Sequence, residues 1–206
     1  DSLNFINGID ASFVNVGLET TKGFDVNVDY NVDFADVLGM PVSLTWTNQY
    51  TQMTEREVTI FEGTDADDLL GDFGNAEHRM NSTLQLSSGD FSWMIIGRYI
   101  SGTHADATIA ATANCDTFTQ SSEITDASGN YLMVQPICEA GSKVYFDTSL
   151  TWTHENLRVS TGINNVFNTE APRVAMGAGS NRANIVTSSG YDLNGQTYFL
   201  NASYKF

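Results

Sequence analysis

The residues of this chain that come closest to forming a chemical site are acidic side chains crowded into one short segment. They are interrupted by glycines, and the candidate ligands are Glu62, Asp65, Asp67, Asp68 and Asp72. Carboxylate oxygens are the ligands that Ca²⁺ prefers, and a flexible loop can wrap several of them around one ion. Their spacing does not match the EF-hand loop, so the alternative is a solvated acidic loop. The segment therefore predicts either a calcium site or exposed charge.

Catalytic chemistry has little support elsewhere in the sequence. The chain contains no nucleophile elbow, phosphate-binding loop, dinucleotide-binding glycine motif or metalloprotease motif. The three histidines, His78, His104 and His154, are far apart in sequence. We therefore expect a protein that is not an enzyme and that needs no cofactor apart from the candidate calcium ion.

The two cysteines, Cys115 and Cys138, lie in a polar segment. They lack the C-x-x-C spacing and the neighbouring histidines of a zinc site. A disulfide is the better interpretation, with two free thiols as the alternative. Such a bond would close a loop of about two dozen residues, stabilise the fold by about 3 kcal/mol and indicate an oxidising compartment.

Composition excludes several broad classes. The chain has 206 residues, a net charge of -16 and only nine Lys and Arg, so nucleic acid is not an expected partner. The apolar fraction of 41% is too high for a disordered chain. No segment approaches the roughly 18 consecutive apolar residues of a membrane-spanning helix. The chain begins at Asp1, without a Met, so we expect it to be a piece of a longer protein.

Alternation with a period of two is the dominant pattern. Between Phe24 and Phe34, large apolar residues alternate with Asp and Asn, as expected of a strand with one apolar and one polar face. The same alternation recurs along the chain and predicts about eight antiparallel strands, longer than those of typical soluble sheets. The predicted strands span residues 3–14, 18–34, 41–60, 78–88, 91–103, 142–154, 157–167 and 196–206.

The lengths of the connections between predicted strands, and the positions of the tryptophans relative to them, form a second pattern. Short connections alternate with long ones, apart from the brief first link, so one end of the sheet would carry tight turns and the other long loops. Trp46, Trp93 and Trp152 each lie near a short connection and are expected at one level. Transmembrane β-barrels have short turns on one side, long loops on the other and aromatic residues at the membrane interfaces. In a closed barrel of eight strands, the inward polar faces would bring the following charged residues together: Asp25, Asp29, Asp33, Arg98, Asp147, Arg158 and Lys205.

Three stretches carry a family resemblance. They are Asn15-Val16-Gly17 followed by Thr21-Lys22-Gly23-Phe24-Asp25, then Gly162-Ile163-Asn164-Asn165-Val166-Phe167-Asn168 with Pro172, and last the ending Tyr191 to Phe206 with its terminal aromatic residue. In this order they resemble the C-terminal part of TonB-dependent receptors, the outer-membrane transporters of Gram-negative bacteria. Val166 and Asn168 stand where that family usually has Leu and Asp. The resemblance covers essentially the whole chain.

The resemblance implies an all-β fold: residues 1–206 would form part of a wide antiparallel transmembrane β-barrel, whose family has about 22 strands. The plug domain, with its TonB box, and the earlier strands are absent from the sequence. The implied function is uptake of a scarce nutrient, such as a siderophore or an oligosaccharide, with energy supplied by TonB. The implied partners are outer-membrane lipid, the nutrient, the plug, the remaining barrel and TonB itself. Candidate ligand contacts in the long loops are Tyr131, Arg173, Asn181 and Arg182.

Two other interpretations remain open at the level of sequence. One is a self-contained outer-membrane barrel of eight strands, acting as an adhesin or structural protein. The other is a soluble β-sandwich that binds carbohydrate, which would bury Phe24, Val26, Val28 and Tyr30 in a protein core. The direction in which these apolar side chains point therefore separates the membrane interpretations from the soluble one.

Overall fold

The computed structural model describes residues 17–37, 39–61, 63–107, 115, 117–174 and 190–206. Twelve β-strands are present among them. They are β1 Leu18–Val37, β2 Met40–Thr59, β3 Asp67–Asp68, β4 His78–Ser88, β5 Phe91–Ile100, β6 Thr103–His104, β7 Thr119–Thr125, β8 Tyr131–Val134, β9 Glu139–Ala140, β10 Lys143–His154, β11 Leu157–Asn164 and β12 Thr197–Tyr204.

One eight-stranded antiparallel sheet, the main sheet, contains the long strands. Its order is β1-β2-β4-β5-β10-β11-β12, with β3 paired to the end of β2, and two-stranded sheets form from β6 with β9 and from β7 with β8. Every pairing between these strands is antiparallel. The predicted all-β antiparallel fold is confirmed. Among the described residues, β1 and β12 are the two edges of the main sheet.

Seven of the eight predicted strands have a counterpart in the main sheet, while predicted strand 3–14 lies outside the described residues. The predicted strand 157–167 stops earlier, at Asn164. The next residue, Asn165, has a φ of 52°, which takes the backbone out of the extended region. The short strands β6 to β9 were not predicted, because three of them have only two to four residues and the sequence of β7 contains a single apolar residue, Ile124.

The two ends of the main sheet differ as predicted. At the turn end, only residues 38–39, 89–90 and 155–156 separate consecutive strands. At the loop end, the connections span residues 60–77, 101–142 and 165–196. Two of the tight turns contain Gly39 and Gly89, whose positive φ angles of 84° and 53° suit a short antiparallel turn.

Strand register separates the main sheet into two chemically different faces. Residues paired across neighbouring strands project to the same side. One such row contains Tyr30, Trp46, Leu84, Ile95, Thr148, Ile163 and Tyr198. The adjacent row, on the opposite side, contains Asp29, Thr47, Thr83, Ile96 and Asp147. We call these sides the apolar face and the polar face.

Dry packing is concentrated at the loop end. A cluster of buried residues there consists of Ala76, Ile100, Ala140, Tyr145, Val174 and Tyr191. Its largest fully buried side chain is that of Tyr145, which has no exposed surface and belongs to the polar face through its pairing with Arg98. The segments that follow β3 and β11, and the segment that precedes β12, therefore fold back over the polar face.

No helix in the described part of the chain is long and apolar enough to cross a membrane.

Candidate functional site

The apolar face is exposed along its whole height. Its exposed residues are Phe24, Val26, Val28, Tyr30, Phe34, Trp46, Met80, Phe91, Trp93, Val144, Phe146, Leu150, Tyr198, Leu200 and Tyr204. Phe24 and Tyr30 are 49% and 52% exposed, so no described part of the chain buries them as a β-sandwich would. Soluble monomers rarely expose apolar patches larger than a few hundred Å². An exposed apolar face of this extent is typical of a surface that contacts another apolar phase or molecule.

Two tryptophans on this face have their indole N–H groups satisfied within the sheet. Trp46 Nε1 donates to Ser82 Oγ over 2.8 Å, and Trp93 Nε1 donates to Thr148 Oγ1 over 2.8 Å. The Thr148 hydroxyl in turn donates to the carbonyl of Met94 over 3.2 Å. Because an unpaired donor is costly in hydrocarbon, these bonds make both indoles compatible with an environment that excludes water.

The three tryptophans are staggered across the sheet. Trp46 is in register with Thr148 through β4 and β5, and Trp152 lies four residues beyond Thr148 on β10. At about 3.3 Å per residue and 4.8 Å per strand, this is about 13 Å along the strands and 14 Å across them, with Trp93 in between. A line through the three is thus inclined by about 40° to the rows of paired residues. The three tryptophans therefore do not share one row of paired residues, and their common level stays a prediction.

The polar face carries its own hydrogen-bond network. Ser43 Oγ donates to Asp33 Oδ1 over 2.6 Å, and Thr51 Oγ1 donates to Asp25 Oδ1 over 2.5 Å. The hydroxyl partners of these two aspartates stand directly opposite them on β2, so side chains of one strand hold those of the next. Strand register places six of the seven charged residues on this face, and Lys205 follows the end of β12; the six are Asp25, Asp29, Asp33, Arg98, Asp147 and Arg158.

An ion pair lies higher on the polar face, close to the loop end. Arg98 approaches Asp147, with 3.2 Å between guanidinium nitrogen and carboxylate oxygen. The guanidinium carbon of Arg98 also lies 5.5 Å from the centre of the Tyr145 ring. The other carboxylate oxygen of Asp147 accepts the Asn165 backbone N–H over 2.7 Å. Both charged side chains are thus held from two sides.

A polar pocket of about 560 Å³ opens beside this ion pair. The polar residues that line it are Arg98, Asp147, Asn164, Asp192, Asn194 and Thr197. Tyr191, Leu193 and Gly195 complete its wall. Alternation predicts two of these residues, Arg98 and Asp147, on the polar face, but it does not predict the pocket, because the wall formed by Tyr191 to Thr197 comes from a segment far away in the sequence.

Two asparagines of the Gly162–Asn168 stretch, which ends β11, form side-chain hydrogen bonds that hold the following loop. Asn165 is fully buried, its amide nitrogen donates to the Thr169 carbonyl over 2.9 Å, and its side-chain oxygen accepts the Thr169 N–H over 2.7 Å. Asn168 Oδ1 accepts the Gln196 N–H over 3.0 Å, and Gln196 Nε2 donates to the Val166 carbonyl over 2.7 Å. We call this set the asparagine clamp. It joins the two ends of the loop between β11 and β12, next to the pocket.

The predicted loop contacts are dispersed or lie outside the described part of the chain. Tyr131 begins β8 and is 52% exposed. Arg173 is exposed beside Glu170, with 3.8 Å between their charged atoms. Neither is among the described residues that line the polar pocket. Asn181 and Arg182 lie outside the described residues.

The acidic candidates are not gathered at one point. Asp67 and Asp68 form β3 and pair with Val58 and Glu57 of β2, whereas Asp72 is buried and lies 3.1 Å from His104 Nδ1. Burial raises the pKa of Asp72, and the neighbouring His104 opposes that shift. Asp65 is exposed, and Glu62 lies outside the described residues. In the described ranges, no three His, Cys, Asp or Glu side chains are arranged to hold a metal ion.

The predicted disulfide is confirmed. Cys115 and Cys138 are bonded, with 5.7 Å between their Cα atoms and a sequence separation of 23. Cys138 is buried next to Ala105, with Phe73 packed against both. The bond therefore anchors the connection between β5 and β10 at the loop end.

No known protein family, curated protein or solved structure matches this chain. The features that bear on its role are therefore the exposed apolar face, the polar face opposite to it and the pocket under the loop end. The two faces belong to the same strands, so a proposed function has to account for an apolar surface and a polar surface on opposite sides of the main sheet.

Proposed function

We propose that this chain forms part of the wall of an outer-membrane β-barrel, that of a TonB-dependent receptor in a Gram-negative bacterium. In this proposal, the receptor imports a scarce nutrient without bond chemistry. The observation that carries it is the continuous exposure of the apolar face opposite an ordered polar face. Lipid chains would cover the first, and the water-filled interior and plug would meet the second.

The height of the apolar face supports lipid as its partner. On β1 the large apolar residues run from Phe24 to Phe34, which is about 33 Å along a strand at 3.3 Å per residue. With strands tilted by about 40°, the apolar band would be about 25 Å tall, as in outer-membrane barrels. A second protein sheet would have no reason to match this height.

The open edges support a barrel wider than the described strands. β1 and β12 each leave one side of their backbone unpaired among the described residues. Unpaired backbone groups are not tolerated in hydrocarbon, so further strands must complete the wall. In the proposed receptor these belong to the remaining barrel, which would surround the plug through which TonB acts.

Accessibility of neighbouring residues tests the membrane placement. Val28→Cys would carry a spin label on the apolar face and Asn27→Cys one on the polar face of the same strand. In the native membrane, we expect the label at position 28 to collide mainly with dissolved oxygen and to be shielded from a water-soluble nickel complex. Equal exposure of both labels to nickel, or shielding of position 28 from both reagents, would contradict the proposal. The native cysteines are bonded to each other and do not compete for the label.

Uptake measurements test the transport function separately. Cells that make the protein are supplied with a radiolabelled ferric hydroxamate, ferric citrate or maltohexaose, with and without TonB. We expect uptake of at least one compound to require both TonB and this protein. Uptake unaffected by loss of either one would exclude the receptor function, even if the labels report a membrane position.

A further inference from the structure

We propose that the polar pocket beside Arg98 and Asp147 binds a neutral, hydroxyl-rich ligand of the oligosaccharide class. This inference rests on the proposed transport function and names its substrate class. The pocket volume of about 560 Å³ lies within the usual range for small-molecule sites, about 300–1,000 Å³. Its position under the loop end places it where a ligand would pass from the loops to the polar face.

The charges of the pocket disfavour an anion. Its lining contains one guanidinium, from Arg98, and two carboxylates, from Asp147 and Asp192. The guanidinium is already neutralised by Asp147 at 3.2 Å. With the net charge of the chain at -16, a negatively charged iron complex would meet repulsion both in the pocket and on approach.

The hydrogen-bonding groups match those of a sugar. Hydroxyl groups both donate and accept, so each can donate to a carboxylate and accept from an amide or guanidinium N–H. The pocket offers carboxylates at Asp147 and Asp192, amides at Asn164 and Asn194, and the hydroxyl of Thr197. Asn164 Nδ2 donates to Thr197 Oγ1 over 3.2 Å, which orients both groups before a ligand arrives.

The site is also rigid. Arg98 is fixed between Asp147 and the fully buried Tyr145, and Asp147 is fixed by the Asn165 backbone N–H. On the other wall, Asp192 Oδ1 accepts the Asn194 N–H over 2.8 Å. Polar groups that are already ordered lose little entropy on binding, so each new hydrogen bond contributes more to affinity.

Calorimetric titration of the native protein in detergent micelles tests the ligand class. The probes are four neutral hexasaccharides, those of maltose, cellulose, xylan and chitin type, with ferric citrate as the anionic comparison. We expect saturable binding of at least one hexasaccharide and none of ferric citrate. Binding of ferric citrate alone, or of none of the probes, would overturn the inference. TonB-dependent uptake of an iron complex would then leave the transport function standing without it.

Two variants place the binding in this pocket. Asn194→Ala removes one amide from the lining and Asp147→Asn removes one charge, whereas Asn201→Ala is a matched control on the polar face of β12 outside the lining. We expect each pocket variant to weaken hexasaccharide binding about 3- to 10-fold, the usual effect of one hydrogen bond, and the control to leave it unchanged. Unchanged affinity in both pocket variants would place the sugar elsewhere and refute the assignment.

Discussion

On the apolar face of the main sheet, the hydroxyls of Ser82 and Thr148 accept indole N–H groups, whereas on the polar face those of Ser43 and Thr51 donate to aspartates. The same residue types thus have opposite roles. On the apolar face each hydroxyl satisfies a donor that hydrocarbon would leave unpaired. On the polar face each orients a charge that water can also reach. The comparison shows that surroundings, not residue type, decide what a polar group contributes.

A charge introduced on each face should give the largest difference. Leu84→Arg places a guanidinium in the middle of the apolar face, and Thr83→Arg places one on the polar face of the same strand. We expect Leu84→Arg to reduce the free energy of unfolding by about 2–4 kcal/mol, the cost of arginine near the membrane midplane. Thr83→Arg should change it by less than about 1 kcal/mol. Urea titration of the protein in phospholipid vesicles measures both.

The two arginine variants, Leu84→Arg and Thr83→Arg, would behave alike if water covered both faces. If the apolar face met water, Leu84→Arg would remove no protein contact of a closed core and would cost little. Similar unfolding free energies for the two variants would therefore show that hydrocarbon does not cover the face.

The asparagine clamp should give the next largest effect, because it holds the loop that covers part of the polar face. Asn165→Ala removes two side-chain hydrogen bonds at a buried position and places alanine at a φ of 52°. We expect a loss of about 2–3 kcal/mol in the free energy of unfolding. Asn164→Ala, at the exposed neighbouring position, should cost less than about 1 kcal/mol. Faster protease cleavage between β11 and β12 in the first variant alone would show that the clamp closes the loop.

Much of the main sheet follows from local sequence. Alternation between Phe24 and Phe34 assigns both the strand and its two faces, because side chains of a strand point to opposite sides in turn. The short connections also follow, since glycines at 39 and 89 supply the positive φ angles that tight turns need. Such features depend on neighbouring residues only, and the structure agrees with them.

The pocket could not be predicted in the same way. Alternation predicts that Tyr145 is an ordinary residue of the polar face. It is fully buried, because Val174 and Tyr191 pack over it from loops that are distant in sequence. The contact of Arg98 with Asp147 depends on the register of β5 against β10. Alternation leaves that register undetermined, since a shift by two residues preserves the faces. Long-range arrangement therefore limits prediction of the site more than of the sheet.

A double-mutant cycle can measure the hydrogen bonds of the apolar face. Trp46→Phe should leave the Ser82 hydroxyl without its donor, and Ser82→Ala should leave the indole N–H without its acceptor. We expect a coupling energy of about 0.5–1.5 kcal/mol, near that of hydrogen bonds in membrane proteins. The corresponding pair on the polar face, Ser43→Ala with Asp33→Asn, should couple more weakly, because water replaces the lost partner. Equal coupling on both faces would contradict the contrast in surroundings.

The smallest predicted effects concern two aspartates of the loop end. Asn130 and its backbone N–H lower the pKa of Asp126, whereas burial raises the pKa of Asp72, against the opposing effect of His104. The lowered pKa means that charged Asp126 stabilises the fold above the ordinary value of 3.8 and that this contribution is lost as pH falls through the folded pKa. For Asp72 the sign is reversed, so its contribution declines as pH rises from 3.8 through the raised pKa.

Urea titrations between pH 3 and 7 can separate these two signs. Relative to the native protein, Asp72→Asn should become more stable as pH rises, because asparagine cannot acquire the disfavoured charge. Asp126→Asn should become less stable over the same rise, because it lacks the carboxylate that accepts the Ser128 and Asn130 N–H groups over 2.8 and 2.9 Å. Parallel pH profiles for the two variants would mean that the buried and exposed carboxylates of the loop end do not differ in their surroundings.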